Sequence, residues 1–99
     1  MIAKGTRLQA APTVQVNDDR VIVTEWRFPP HGETGWHRHG HDYVVVPMTT
    51  GSLLIEGAGG AETSVPLTAG VSYARKIGVE HNVVNDNAFE FIFIEIEIK

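Results

Sequence analysis

The sequence predicts an all-β protein, and three observations support this fold class. Short apolar stretches rich in β-branched residues recur along the chain, with glycine, proline or Asn-Asp turn residues between them. The last stretch alternates strictly, so that Ile92, Ile94, Ile96 and Ile98 share one face of a strand. No segment shows the periodicity of an amphipathic helix. Many short strands with frequent turns favour a sandwich or a barrel.

The individual strands follow from the positions of these turns. An early strand contains Val14 and Val16, and later strands are predicted at 21–28, 43–48, 52–56, 63–67, 71–75 and 91–99. Within 21–28, Ile22, Thr24, Trp26 and Phe28 share one face. The glycine-rich stretch 57–60 is a predicted hairpin tip.

Composition limits the class of protein and its partners. A chain of 99 residues with 42% apolar residues forms one globular domain. The net charge is −4 and no basic patch is present, so we expect no nucleic-acid partner. The absence of cysteine excludes disulfides and thiolate metal sites. The opening segment 1–7 lacks an apolar signal region and no later run is long enough to span a bilayer, so we expect a cytoplasmic protein with no membrane partner.

Histidines are concentrated in one short window. Four of the five, His31, His37, His39 and His41, fall within eleven residues, and His81 lies far along the chain. One histidine in a surface loop is usually solvated, but four so close together indicate a shared role. We expect His31 to lie outside that cluster, because prolines and a glycine surround it.

The alternation of these histidines sets a limit on metal binding. If residues 37–43 are extended, His37, His39, His41 and Tyr43 project from one face. Alternate Cα atoms lie about 6.6 Å apart, so two imidazoles can converge on one ion, whereas three would spread over about 13 Å. Either Gly40 bends the chain or one histidine lies outside the metal shell, and we expect this of His41.

These residues resemble the motifs of the cupin superfamily. The segment 32–39, Gly-Glu-Thr-Gly-Trp-His-Arg-His, followed by Val44–Val46 and Gly51, is similar to the first cupin motif. The second motif, Gly-x5-Pro-x-Gly-x2-His-x3-Asn, matches 70–85 at every spacing, with Lys76 in place of proline. The resemblance implies one small cupin domain over residues 1–99, a jelly-roll barrel or double-stranded β-helix. Its motifs lie at about 32–51 and 70–85.

The chain departs from the first motif at the metal-binding glutamate. That position falls on Tyr43 or Val44, and the gap from Gly32 to His37 is one residue short. The resemblance therefore implies three metal ligands, His37, His39 and His81, for one divalent transition metal (Zn, Ni, Fe, Mn or Cu). Three neutral imidazoles leave the full +2 charge on the ion, which favours anionic ligands.

Three functions are compatible with such a centre. The first is a metal-dependent enzyme acting on a small molecule, of dioxygenase, isomerase or hydrolase type, in which Tyr43 or His41 moves protons. The second is a non-catalytic domain that binds the metal or a small, in particular anionic, ligand. The third is a structural barrel that binds metal adventitiously. Fold membership alone does not establish that the protein is an enzyme.

Other side chains have two interpretations each. Arg75 is either a clamp for a substrate carboxylate or a solvent-facing strand charge. Glu33 and Glu80 are expected to be solvated loop carboxylates. Phe91 and Phe93 lie opposite the isoleucines of the last strand, which is therefore apolar on both faces at its start, and we expect that an isolated barrel would leave the phenylalanine face exposed to water. Together with the cupin resemblance, this pattern predicts a homodimer.

Overall fold

The regular structure in the computed structural model, which describes residues 6–99, is almost entirely β. The strands within this range are β1 (Ala11–Asn17), β2 (Val21–Phe28), β3 (His37–Arg38), β4 (Asp42–Pro47), β5 (Gly51–Glu56), β6 (Glu62–Leu67), β7 (Tyr73–Arg75), β8 (Glu80–Val84) and β9 (Phe91–Ile98). A 3₁₀ turn, Ala58–Gly60, closes the predicted hairpin between β5 and β6. The all-β prediction is confirmed. Residues 1–5, which belong to the segment predicted to lack a secretory signal, lie outside the described range.

Two antiparallel sheets build the domain. One has the strand order β1-β2-β9-β4-β7 and the other β3-β8-β5-β6. Side chains from both sheets meet in one core, which includes Phe28 and Phe93 from the first and Leu53 and Val83 from the second. The rings of Phe28 and Phe93 lie 5.3 Å apart. Across residues 6–99, no helix is both long and apolar enough to cross a membrane.

The sequence pattern located most strands but did not predict β8. In this strand the polar residues His81 and Asn82 are buried together with Val83 and Val84. A strand buried on both faces loses the alternation of polar and apolar residues on which strand prediction depends. The predicted strand 71–75 is also shorter in the structure, where β7 begins at Tyr73.

The two faces of the last strand, β9, differ from the expectation: the phenylalanine face is buried. Phe91 and Phe93 are 0% and 4% exposed, because β9 lies between β2 and β4 with these rings directed into the core. The expectation that the two phenylalanines form an exposed apolar face is therefore wrong. The isoleucines lie on the outer face, where Ile96 is aligned with Val23 and Val44. The homodimer itself stays a prediction.

Two motif glycines have different structural roles. Gly78 has φ = 95°, a backbone conformation that other residues rarely adopt, and its N–H donates a 2.8 Å hydrogen bond to the carbonyl of His39. Gly51 begins β5 and has no positive φ. A Cβ there would lie 3.1 Å from the Phe89 ring, so close packing explains this glycine.

Asn85, the last residue of the second motif, ties the loop after β2 to the loop between β8 and β9. Its side chain is fully buried, and its amide N–H groups donate to the carbonyls of Phe28, Pro29 and Phe89 at 2.8–3.3 Å. Its amide oxygen accepts the backbone N–H of Asn87 at 3.1 Å. The asparagine thus satisfies backbone groups that burial would otherwise leave unpaired.

We expect Asn85→Ala to lower the free energy of unfolding by about 2–4 kcal/mol, because several buried backbone groups lose their partner. Urea denaturation measures this loss. Asn17→Ala is the matched control, since Asn17 is exposed and its side chain accepts a hydrogen bond from the exposed Lys99; it should change stability by less than about 0.5 kcal/mol. Equal effects of the two substitutions would contradict the role of Asn85.

Candidate metal centre

Strand pairing places two histidines from distant parts of the sequence opposite each other. β3 pairs with β8 in antiparallel register, and His37 is the cross-strand partner of His81. Directly opposite residues of a strand pair present their side chains to the same face. The rings of His37 and His81 accordingly lie 4.8 Å apart, centroid to centroid.

A tight turn brings the third histidine to this pair. β3 ends at Arg38, and the backbone of His39 is held by the turn that follows β7. Its N–H donates to the carbonyl of Val79 at 2.9 Å, and its carbonyl accepts the N–H of Gly78 at 2.8 Å. The His39 ring stacks on Tyr43 with 3.8 Å between centroids. Both contacts fix the direction of its imidazole.

The three Nε2 atoms converge on one point. His39 Nε2 lies 3.0 Å from His37 Nε2 and 3.0 Å from His81 Nε2. Among the described residues, these three histidines form a group whose ligand atoms can hold one metal ion. Two nitrogens 3.0 Å apart, each about 2.1 Å from an ion, subtend about 90° at that ion. This angle is compatible with neighbouring ligands of one six-coordinate ion.

Hydrogen bonds behind His37 leave its Nε2 lone pair available. His37 Nδ1 lies 2.9 Å from the carbonyl oxygen of Gly35, an acceptor, so we assign the ring proton to Nδ1. The Gly35 N–H in turn donates to Asn82 Oδ1 at 2.9 Å. The Asn82 amide donates to Glu33 and to Glu56, each at 2.9 Å. This chain of bonds fixes the tautomer that metal binding requires.

The same chain corrects the expectation for one loop carboxylate. Glu33 was expected to be solvated, but its side chain is 13% exposed and lies 3.1 Å from the guanidinium of Arg7. Arg7 also contacts Glu56 at 3.1 Å. Sequence pattern did not indicate this network, because its hydrogen-bonded partners lie up to 49 residues apart in the sequence.

Burial keeps two of the histidines neutral. Burial, followed by the nearby His37 and Arg75, lowers the pKa of His39 to about 4. Burial, followed by His37, His39 and Arg75, lowers the pKa of His81 to about 3. A neutral imidazole is the form that binds metal, so both rings are in the ligand state at neutral pH.

Tyr43 and His41, the residues predicted to move protons, occupy different environments. Tyr43 is 3% exposed, lines the cavity beside His39, and has its pKa raised by burial to about 12. His41 does not join the three histidines, because β3 ends before it and β4 begins after it. Its Nδ1 lies 3.1 Å from Glu97 Oε2 instead.

A buried carboxylate that the sequence analysis missed lies beside the cluster. Glu95 Oε2 is 3.9 Å from His39 Nδ1, and the residue is 8% exposed. Burial, with a further contribution from Glu97, raises the pKa of Glu95 to about 7. The alternation of β9 was the available signal, since it places Glu95 on the same face as Phe91 and Phe93.

The three histidines open into a cavity of about 340 Å³. Its wall is mainly aromatic and aliphatic, with a few polar groups at one side. The apolar lining includes Trp26, Val45, Leu53, Ile55, Val65, Leu67, Val83 and Phe93, and the charged lining includes Arg38, Arg75, Glu95 and Glu97. A predominantly apolar wall with a few polar groups is typical of a site for a small molecule.

This fold and these motifs define a cupin. The chain is similar to a cupin domain from Bordetella pertussis Tohama I, with 64% identity over 95% of this chain and 97% of that domain, and a TM-score of 0.92. It therefore belongs to the cupin superfamily, and its two sheets form the double-stranded β-helix. It is also similar to the Beta-alanine degradation protein BauB of Pseudomonas aeruginosa, with 62% identity over 93 residues, 94% of this chain and 97% of that protein.

More distant structures share the fold. One is a protein with a double-stranded β-helix domain from Klebsiella pneumoniae subsp. pneumoniae MGH 78578, with a TM-score of 0.75 and 21% identity. The match covers 99% of this chain and 81% of that protein. No family model matches the sequence.

Removing one of the three clustered histidines should abolish stoichiometric metal binding. We expect His37→Ala and His81→Ala to weaken metal affinity by more than about 100-fold, since even residues behind the ligands contribute 10–100-fold. Elemental analysis after dialysis measures the bound metal. His31→Ala is the control, because the His31 ring lies beside Asp86 and outside the cluster. Full metal content in His81→Ala would contradict the site.

Acidification should destabilise the metal-free protein between about pH 6.5 and 4.5. The unfolded chain protonates His39 and His81 near their ordinary value of 6.5, whereas the fold keeps both neutral until about pH 4 and 3. Glu95 opposes this, because its folded pKa of about 7 exceeds its ordinary value of 4.5. In this window the unfolded chain thus binds about one more proton than the folded protein. The free energy of unfolding therefore decreases as the pH is lowered.

Urea denaturation of chelator-treated protein at several pH values in this window measures the effect. Glu95→Gln removes the opposing carboxyl and should make the loss of stability on acidification steeper. Constant or increasing stability of the unsubstituted protein on acidification would contradict the assignment.

Proposed function

We propose that this cupin is a metal-dependent enzyme of dioxygenase type that acts on a small organic anion. The observation that carries the proposal is the group of three imidazoles in which His39 Nε2 lies 3.0 Å from the Nε2 atoms of His37 and His81, at the wall of the 340 Å³ cavity. Nitrogen ligands at about 90° suit six-coordinate ions such as Fe(II) better than tetrahedral zinc. A ferrous ion held there would supply redox chemistry and open positions for an anionic ligand.

The protein's own residues define what such a site accepts. The apolar wall formed by Leu53, Val83 and Phe93 excludes water and accommodates a short carbon chain. The group consists of histidines and contains no carboxylate that would compensate the charge of a divalent ion, so an anionic ligand is favoured.

Two residues are proposed to handle protons. Tyr43 keeps its phenolic proton at neutral pH, since its pKa is about 12, and it lines the cavity next to His39. We assign it the role of hydrogen-bond donor to the bound molecule. His41 is 34% exposed at its side chain and bonds Glu97, which also lines the cavity. We assign it proton exchange with solvent.

The relative from Pseudomonas aeruginosa supports a substrate class. Its name places it in β-alanine degradation, and it is 62% identical to this chain. β-Alanine is a three-carbon amino acid with a carboxylate, and its breakdown products are short-chain molecules. We propose that this cupin acts on a short carboxylate in such a degradation process.

The Fe(II)-loaded protein should consume dioxygen with at least one member of a panel of short carboxylates, small thiols, diketones and phenols. An oxygen electrode, followed by mass spectrometry of the product, measures the reaction. His81→Ala, treated with the same iron, is the control and should be inactive. Tyr43→Phe should lower kcat by about 100-fold or more if its proton is used in the reaction.

The absence of turnover with Fe, Mn, Ni, Zn and Cu would contradict the proposed enzyme. Stoichiometric metal binding without turnover would then favour a non-catalytic domain that binds the metal or a small ligand.

A further inference from the structure

Arg75 belongs to the cavity although the residue is exposed to solvent. It is the cross-strand partner of Tyr43 in the pairing of β4 with β7. Directly opposite residues direct their side chains to the same face, and Tyr43 is buried on the interior face. Both residues line the cavity. Arg75 therefore places a guanidinium at the solvent-accessible rim of the site.

No carboxylate of the described residues lies within 4.0 Å of the guanidinium of Arg75. Within residues 6–99, every other arginine lies within 4.0 Å of at least one carboxylate: Arg7 with Glu33 and Glu56, Arg20 with Asp18, Arg27 with Glu25 and Glu90, and Arg38 with Glu80. Arg75 forms no such ion pair in this described part of the chain. An unpaired cation that lines a cavity is available to a ligand.

The two carboxylates of the cavity are held away from Arg75 by the register of the sheet. Tyr43 is the partner of Glu97 on one side and of Arg75 on the other. Glu97 is already bonded to His41 at 3.1 Å. Two residues further along β4, Val45 is likewise the partner of Glu95 on one side and of Tyr73 on the other. An anion near β7 thus meets the cation first, with β4 between it and both carboxylates.

The surroundings of Arg75 suit a carboxylate. Burial raises the pKa values of Tyr43 and Tyr73, so both phenols are protonated at neutral pH and can donate hydrogen bonds. The charge of Arg75 also acts within the site, since it contributes to the lowered pKa values of His39 and His81. A planar guanidinium matches a carboxylate with two parallel hydrogen bonds.

We propose that Arg75 is the specificity-determining residue that binds the substrate carboxylate, so that the substrate is a short monocarboxylate whose other end reaches the three histidines. The apolar side chains Leu53, Leu67 and Val83 line the same cavity and contact the carbon chain between the two ends. This inference rests on the proposed function, because it places the reacting end of the molecule at the histidine cluster.

Ligand binding to the Co(II)-loaded protein tests this role, with the visible absorption of cobalt as the readout. The probes are ω-amino and ω-hydroxy carboxylates of two to five carbons, each paired with its neutral amide. At least one carboxylate should bind more tightly than its amide. Arg75→Gln should raise the Kd of that carboxylate by about 10- to 100-fold and leave the amide unchanged. Arg75→Lys should restore part of the preference.

Two arginines serve as controls. Arg27→Gln removes a charge that does not line the cavity, and it should leave both Kd values unchanged. Arg38→Gln removes the other arginine of the cavity wall, which is already near Glu80. A loss of the carboxylate preference in Arg38→Gln and not in Arg75→Gln would overturn the assignment.

The remaining outcomes are distinguishable by cobalt content. If cobalt is bound stoichiometrically and the carboxylate has the same Kd in Arg75→Gln, the carboxylate binds through the metal alone and the role of Arg75 is wrong. The same conclusion follows if no carboxylate binds better than its amide. If the unsubstituted protein binds no cobalt, the proposed metal function fails and this inference fails with it.

Discussion

The site depends on one constraint: two distant segments of the chain must bring three histidine nitrogens together. His39 Nε2 lies 3.0 Å from the Nε2 atoms of both His37 and His81. Two contacts satisfy it. Antiparallel register sets His37 opposite His81, and the turn at Gly78 holds both backbone groups of His39. A shift of register by one residue would direct His37 or His81 to the other face of its strand, so the barrel and the site form together.

A polar network behind the histidines makes this arrangement rigid. Asn82, next to His81, bonds the loop before His37 and also the carboxylates of Glu33 and Glu56, with Arg7 as their cation. Buried charges are costly unless they are paired and hydrogen-bonded, as these are. The same groups therefore connect the start of the described chain to strand β5. They also fix the tautomer of His37.

The interior of the five-stranded sheet is polar at one end and apolar at the other. Its successive rows contain Glu97 and Tyr43, then Glu95 and Val45, then Trp26 and Phe93. The apolar end forms the packed core with Phe28 and Phe91, and the polar end lines the cavity. One sheet thus provides both the stability of the barrel and the chemistry of the site, because the side chains of β9 change character along its length.

Local pattern in the sequence predicted most strands, and alternation identified β2 and β9. The spacing of His37 and His39 indicated a metal site within one short segment. His81, 42 residues from His39, was assigned as a ligand only through the resemblance to the second cupin motif. Only the tertiary structure decided that Phe91 and Phe93 face the core, that Glu33 is buried against Arg7, and that Glu95 lies beside His39. These contacts join residues far apart in the chain, and sheet register and closure of the barrel, which no local pattern encodes, determine them.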